Sequence, residues 1–264
     1  PNFAYFVYNG IPDYTGKATP TSPDVTYNFN TLPPLQRKVS VYQLITTRND
    51  HVSAQSIPNS STGQYGGSDY LWQGTLVYDG VVYDHIRFRA RGGVWRYAMG
   101  KNMWKFDFNR GHRLEARDSF GKEYPQSWNK LNFSSLIQQG DFQQRGEQGL
   151  FEGAGFRLHN LAGNAAPNTH FVHFRIIEGA NENGALGNQF DTDFQGLYLA
   201  VEQMDGQFLD QHKLPDGNLY KMEGGTGELN NQGPDQPKDK SDLNAFLSAY
   251  TGAATQPEAW WRTN

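Results

Sequence analysis

The strongest chemical feature of the sequence is Arg87-Phe-Arg-Ala-Arg91-Gly-Gly93, followed by Lys101 and Lys105. If the segment is extended, alternation sets Arg87, Arg89 and Arg91 on one strand face. A guanidinium is a planar fork matched to phosphate or carboxylate, and an ammonium is a compact point charge. Glycines allow a backbone to come close to a ligand. Those residue types in that order suit a polyanion such as the phosphates of a nucleotide. A solvated sheet face whose cations pair with Asp and Glu would give the same pattern.

The second candidate is Glu202, at the end of the apolar run Gly196-Leu-Tyr-Leu-Ala-Val-Glu202. Strand alternation groups it with Tyr198 and Ala200. There it could pair with a basic residue of the same sheet or close a simple edge salt bridge.

Other chemistries lose their support. The chain has no cysteine, which removes disulfides, thiolate catalysis and Cys-ligated zinc. Neither G-x-S-x-G nor G-x-x-x-x-G-K-[ST] occurs. The seven histidines form no H-E-x-x-H pair, and His170-x-x-His173 lies in a strand-like segment. Asp191-x-Asp193 lacks the spacing and closing glutamate of a calcium loop. No metal site is expected.

The elements that must position these residues read as α+β, with a mostly antiparallel sheet and a few helices. Val39 to Thr46 is a strand, and residues 47–70 a loop. Leu76-Val-Tyr78 and Val81-Val-Tyr83 flank Asp79-Gly80, the signature of a tight hairpin. Ile86, Phe88 and Ala90 alternate with the three arginines; Trp104, Phe106 and Phe108 alternate with Lys105 and Asp107. The expected sheet has one aromatic, buried face and one charged face. A helix is predicted over 141–156, opened by Asp141 and weakened by four glycines. Strands follow at 171–177 and 194–204, a short helix at 207–214, a short strand at 218–221, a polar loop at 223–240 and an amphipathic helix at 242–250. There is no repeat and no evident domain boundary.

Composition agrees with this reading. The 264 residues are 14% aromatic and only 19% charged, with 29 glycines and 13 prolines. That is too aromatic for a disordered chain and unlike a helical bundle. The net charge of -4 argues against a bulk nucleic-acid binder, and no apolar stretch reaches the ~18 residues of a membrane span. Starting at Pro1, the chain is expected to be a processed product or part of a longer protein. Its amide-rich, aromatic character suits an exported protein, placed outside the cell or at the cell surface.

The order of the motifs resembles the spore coat protein H family, the CotH kinases. The pieces that carry the resemblance are Arg89-Ala-Arg91-Gly92, Lys101-Asn-Met-Trp-Lys105, Gly196-Leu-Tyr-Leu-Ala-Val-Glu202-Gln-Met-Asp205-Gly-Gln-Phe208-Leu209 and Gly217-Asn-Leu-Tyr220-Lys221. They fall between residues 39 and 222. The resemblance implies the N-terminal lobe and linker of an atypical protein kinase using ATP and Mg²⁺. Lys101 would correspond to the lysine that grips the phosphates, with Lys105 its competitor, and Arg89 and Arg91 would line or brace the site. Glu202 would lie near the lobe hinge. Glu147, or failing that Glu152, would orient the lysine. The family's metal-binding aspartates belong to segments beyond G-x-L-Y-K, and neither segment is present before Asn264.

The expected organisation is an extended N-terminal arm (1–38), the kinase-like region (39–222), and a loop and helix leading toward a further lobe (223–264). The expected function is the first part of a kinase acting on an exported protein, with this chain alone a poor catalyst. Its partners would be a protein substrate and a following C-terminal part of the same protein. The alternative is a noncatalytic surface or assembly module that binds a coat or matrix partner. Carbohydrate binding through exposed Trp and Tyr is a third reading.

Overall fold

The computed structural model describes residues 39–55, 72–92, 101–136, 147–179, 193–222, 225, 227–253 and 256–262. The chain divides into two compact units, one ending at Gln203 and the other starting at Met204. The division falls within the stretch that sequence reading treated as continuous.

Seven strands of the first unit close into a barrel in the order β1 (Ser40–Ile45), β2 (Trp72–Tyr78), β3 (Val81–Arg91), β4 (Met103–Asp107), β5 (Lys130–Ser134), β7 (Phe194–Glu202) and β6 (Thr169–Ile177). All neighbours are antiparallel except β1 and β6, whose parallel pairing closes the ring. The α+β class and the antiparallel sheet are as expected; closure is an additional finding.

The hairpin forms where Asp-Gly predicts it. Asp79 and Gly80 have φ of 51° and 80°, the left-handed pair that a tight two-residue turn needs. Further along, the β2–β3 register shifts between Gly74 and Leu76.

The inward face of the barrel is aromatic. Phe133 meets Phe106 and Phe174 edge-on at centroid distances of 5.0 Å each, and Tyr42 at 5.3 Å. Such pairs contribute about 0.5–1.5 kcal/mol each beyond simple burial. Tyr42, Phe88, Trp104, Phe106, Phe133, Phe174 and Tyr198 are all buried.

Among the described residues, two helices belong to this unit. The loop expected at 47–70 contains α1 (Arg48–Gln55). The Thr47 hydroxyl accepts from the Asp50 amide at 3.1 Å, capping a segment whose sequence looks merely polar. Arg48 and His51 then hold the Glu178 carboxylate at 2.6 Å each. The second helix, α2 (Glu147–Leu161), runs five residues past its expected end at 156. The expected opener Asp141 lies outside the described residues. Glycine is required at 149, because a Cβ there would come within 1.9 Å of Leu136. The helix tolerates that residue's poor propensity in exchange for close packing.

In the second unit, α3 (Gly206–Gln211) is capped by Asp205, whose carboxylate accepts from the Gln207 amide at 3.0 Å. The loop expected at 223–240 instead contains β9 (Glu228–Asn231), paired with β8 (Leu219–Lys221). Helix α4 (Ser241–Ala253) is tied to the hairpin through Asp242, which accepts from Tyr220 at 2.7 Å and Asn218 at 2.8 Å. These hydrogen bonds hold the Asp242 carboxyl below its ordinary range. A short helix, α5 (Glu258–Trp261), follows.

Candidate nucleotide-binding face

The barrel's register determines which cations meet. Arg89 of β3 stands opposite Lys105 of β4, and Lys105 stands opposite Asn132 of β5. One step along, Arg87 faces Asp107, and Asp107 faces Lys130. Since Phe88, Phe106, Leu131 and Phe133 fill the interior, alternation sends all of these side chains outward.

Arg87 reaches the Asp107 carboxylate at 3.5 Å. Lys105 has no carboxylate within ion-pair distance among the described residues. Burial lowers its pKa most, Asp107 opposes that, and the charges of Lys130, Arg89 and Arg91 lower it further.

Lys101 lies elsewhere. Four residues before Lys105, roughly 13 Å of extended chain, it crosses to the start of β7. Its ammonium donates to the Leu197 carbonyl and lies 4.0 Å from the centre of the Tyr198 ring. Gly196, at φ 102°, gives it room: a Cβ there would be 3.4 Å from the Lys101 Nζ. No carboxylate pairs with Lys101 among the described residues, and burial pushes its pKa down to about 8. Neighbouring His173 is pushed down to about 4, by burial first and then by the Lys101 charge.

Glu202 is at the far end of β7 from Lys101, roughly 16 Å along the strand from Leu197. It faces inward in register with Leu131, and its Oε2 accepts from both the backbone amide and the side-chain amide of Asn168 at 2.9 Å. The Asn168 amides reach it because the strand end meets the chain entering β6.

Glu147 opens α2, but its side chain lies outside the described residues. Glu152 accepts from the Ser134 hydroxyl at 2.8 Å, at the end of β5. Ser134 is in register with Leu199, two residues from the carbonyl that Lys101 reaches.

The structure thus brings Arg89 and Lys105 together, with Arg91 next along the same face. It sets Lys101 and Glu202 at opposite ends of the barrel. Sequence reading missed Lys130 and Asn132. Their signal was the alternation of Lys130-Leu-Asn-Phe-Ser134, in which Leu131 and Phe133 point inward. His170 and His173, three apart on a strand, fall on opposite faces. Among the described residues no three His, Asp or Glu side chains converge as a metal-ligand set.

The model of the CotH kinase protein family matches residues 88–256, well over half of the chain. The chain belongs to the CotH kinase protein family. The match starts on β3, at Phe88 beside Arg89, and so takes in Arg89, Arg91, Lys105 and Lys130 but not Arg87. A comparison with curated proteins returns no match. Among the described residues, no helix of this CotH-family chain is long and apolar enough to cross a membrane.

Proposed function

We propose that this chain is the nucleotide-binding part of a CotH-like protein kinase acting on an exported protein outside the cell or at its surface. Family membership supports the reading, and one observation carries it. Arg89 and Lys105 stand in register on an outward face, where Lys105 is partly desolvated and crowded by like charges. ATP with Mg²⁺ would supply the phosphoryl group. The chain's own contribution is to neutralise and orient the phosphates by Arg89, Arg91 and Lys105. No Mg²⁺ ligand is assigned.

The test is calorimetric titration of ATP with Mg²⁺ into the full-length protein. Arg89→Gln combined with Lys105→Gln is expected to weaken binding by at least about tenfold. Lys101→Ala measures the contribution of the competing lysine. No binding to the wild type, or equal binding to the double variant, overturns the reading.

A further inference from the structure

A cavity of about 470 Å³ opens between α2, the first residues of β6 and the 118–124 loop. Sites for small molecules span roughly 300–1,000 Å³. The walls are largely apolar: Tyr124 and Phe171 contribute rings, and Leu150 and Leu199 aliphatic carbons. Phe120 and Leu150 line it yet remain 64% and 61% exposed. Apolar surface left open beside polar groups marks ligand-binding grooves.

Most polar groups of the lining are already engaged. The Asp118 Oδ1 accepts from the Phe120 and Lys122 amides at 2.8 and 2.9 Å, which folds the loop. Asn160 exchanges two hydrogen bonds with the Ala166 backbone at 2.9 and 3.0 Å. Asn168 donates to Glu202.

Two groups are left over. Arg157 is an exposed guanidinium with no carboxylate within ion-pair distance among the described residues. His170 is only 2% exposed; its Nε2 lies 3.4 Å from the Tyr42 hydroxyl, and its Nδ1 has no hydrogen-bond partner among the described residues. Burial pushes its pKa down to about 4, so the ring is neutral near pH 7. A buried polar atom left unpaired costs about 1–3 kcal/mol.

These leftovers describe a ligand. An unpaired guanidinium matches a carboxylate. Rings and aliphatic walls match a flat apolar body. A neutral imidazole nitrogen donates or accepts according to its tautomer, and a hydroxyl can answer either. We propose that this cavity binds a small hydroxyaryl carboxylate, with its carboxylate on Arg157, its ring against the apolar walls and its hydroxyl at His170. The site lies on the side of the barrel that α2 covers and does not depend on the nucleotide reading.

The test is calorimetric titration of the full chain with para-hydroxyphenylacetate. Two probes each lack one feature: phenylacetate lacks the hydroxyl, and para-hydroxyphenylethanol lacks the carboxylate. The complete probe is expected to saturate one site, with each comparator at least about tenfold weaker. Arg157→Gln should abolish the preference for acid over alcohol, and His170→Phe the preference for phenol over phenylacetate. Should His170→Phe fail to fold, the two comparators on the wild type and Arg157→Gln decide. No saturable binding at millimolar probe overturns the proposal, as does a comparator that binds equally well or an acid preference that survives Arg157→Gln. Competition by ATP with Mg²⁺ would assign the acid to the cationic face and overturn it equally.

Discussion

The barrel has two outward faces built on one interior. Over β3, β4 and β5 the outside carries a cationic row, with Arg89, Lys105 and Lys130 on neighbouring strands. Over β6 and β7 it is covered by α2, and the glycine at 149 lets that helix sit close. The inward residues are alike on both sides: Phe88, Phe106 and Phe133 on one, Val172, Phe174 and Tyr198 on the other. The interior therefore makes the fold, and the outward positions decide whether a strand carries a helix or a row of charges.

The comparison is broken most severely from inside. Phe133→Ala should cost about 3–5 kcal/mol, seen as a lower denaturant midpoint, because Phe133 meets four aromatic neighbours. Lys105→Ala, on the outer face of the adjacent strand, should change stability by no more than about 0.5 kcal/mol. Equal losses would mean that the cationic face is structural.

The covered face has its own paired test. Gly149→Ala drives a methyl group into Leu136 and should destabilise by about 1–3 kcal/mol. Gly155→Ala meets nothing within 4 Å and should stabilise by about 1 kcal/mol through helix propensity alone. If both variants are stabilised, α2 does not sit as closely as described.

A smaller effect comes from titration. His170 is buried beneath the covered side, 3.4 Å from the Tyr42 hydroxyl, and burial pushes its pKa down to about 4. The unfolded chain takes up this proton near pH 6.5. Between about pH 6.5 and 4 the unfolded state therefore holds more protons, and stability falls as pH falls. His170→Gln should flatten that slope in urea titrations; an unchanged slope would remove His170 from the account.

The smallest effect lies at the barrel end. Lys101, ordinarily near 10.5, is lowered to about 8 by burial. Between those values the unfolded chain binds more protons, so stability rises with pH across that window. After reductive ¹³C-methylation, the Lys101 resonance should titrate near pH 8, well below the exposed lysines. A midpoint near 10.5 would show an ammonium still in water.

Much of this was legible in the residues. Asp79-Gly80 and the alternation of Phe88 with Arg89 and of Phe106 with Lys105 determined the hairpin, the strand faces and the cationic row. Barrel closure was not legible, because the β1–β6 pairing joins residues about 130 positions apart. Helix α1 was hidden by polar composition and rests on the Thr47 cap and a buried Ala54. The α2 glycines read as weakness until the nearness of Leu136 gave one of them a purpose. Lys101 and Lys105 could not be separated by sequence, since only the fold sends one to β7 and leaves the other on the cationic face.

The most direct test of the nucleotide-binding claim is amine acylation of the full-length protein, with and without saturating ATP and Mg²⁺, read lysine by lysine by mass spectrometry. The account predicts that nucleotide slows acylation of Lys105 several-fold while the exposed Lys122, which is no part of the cationic face, is unaffected. Equal acylation of Lys105 in the presence and absence of nucleotide would contradict it.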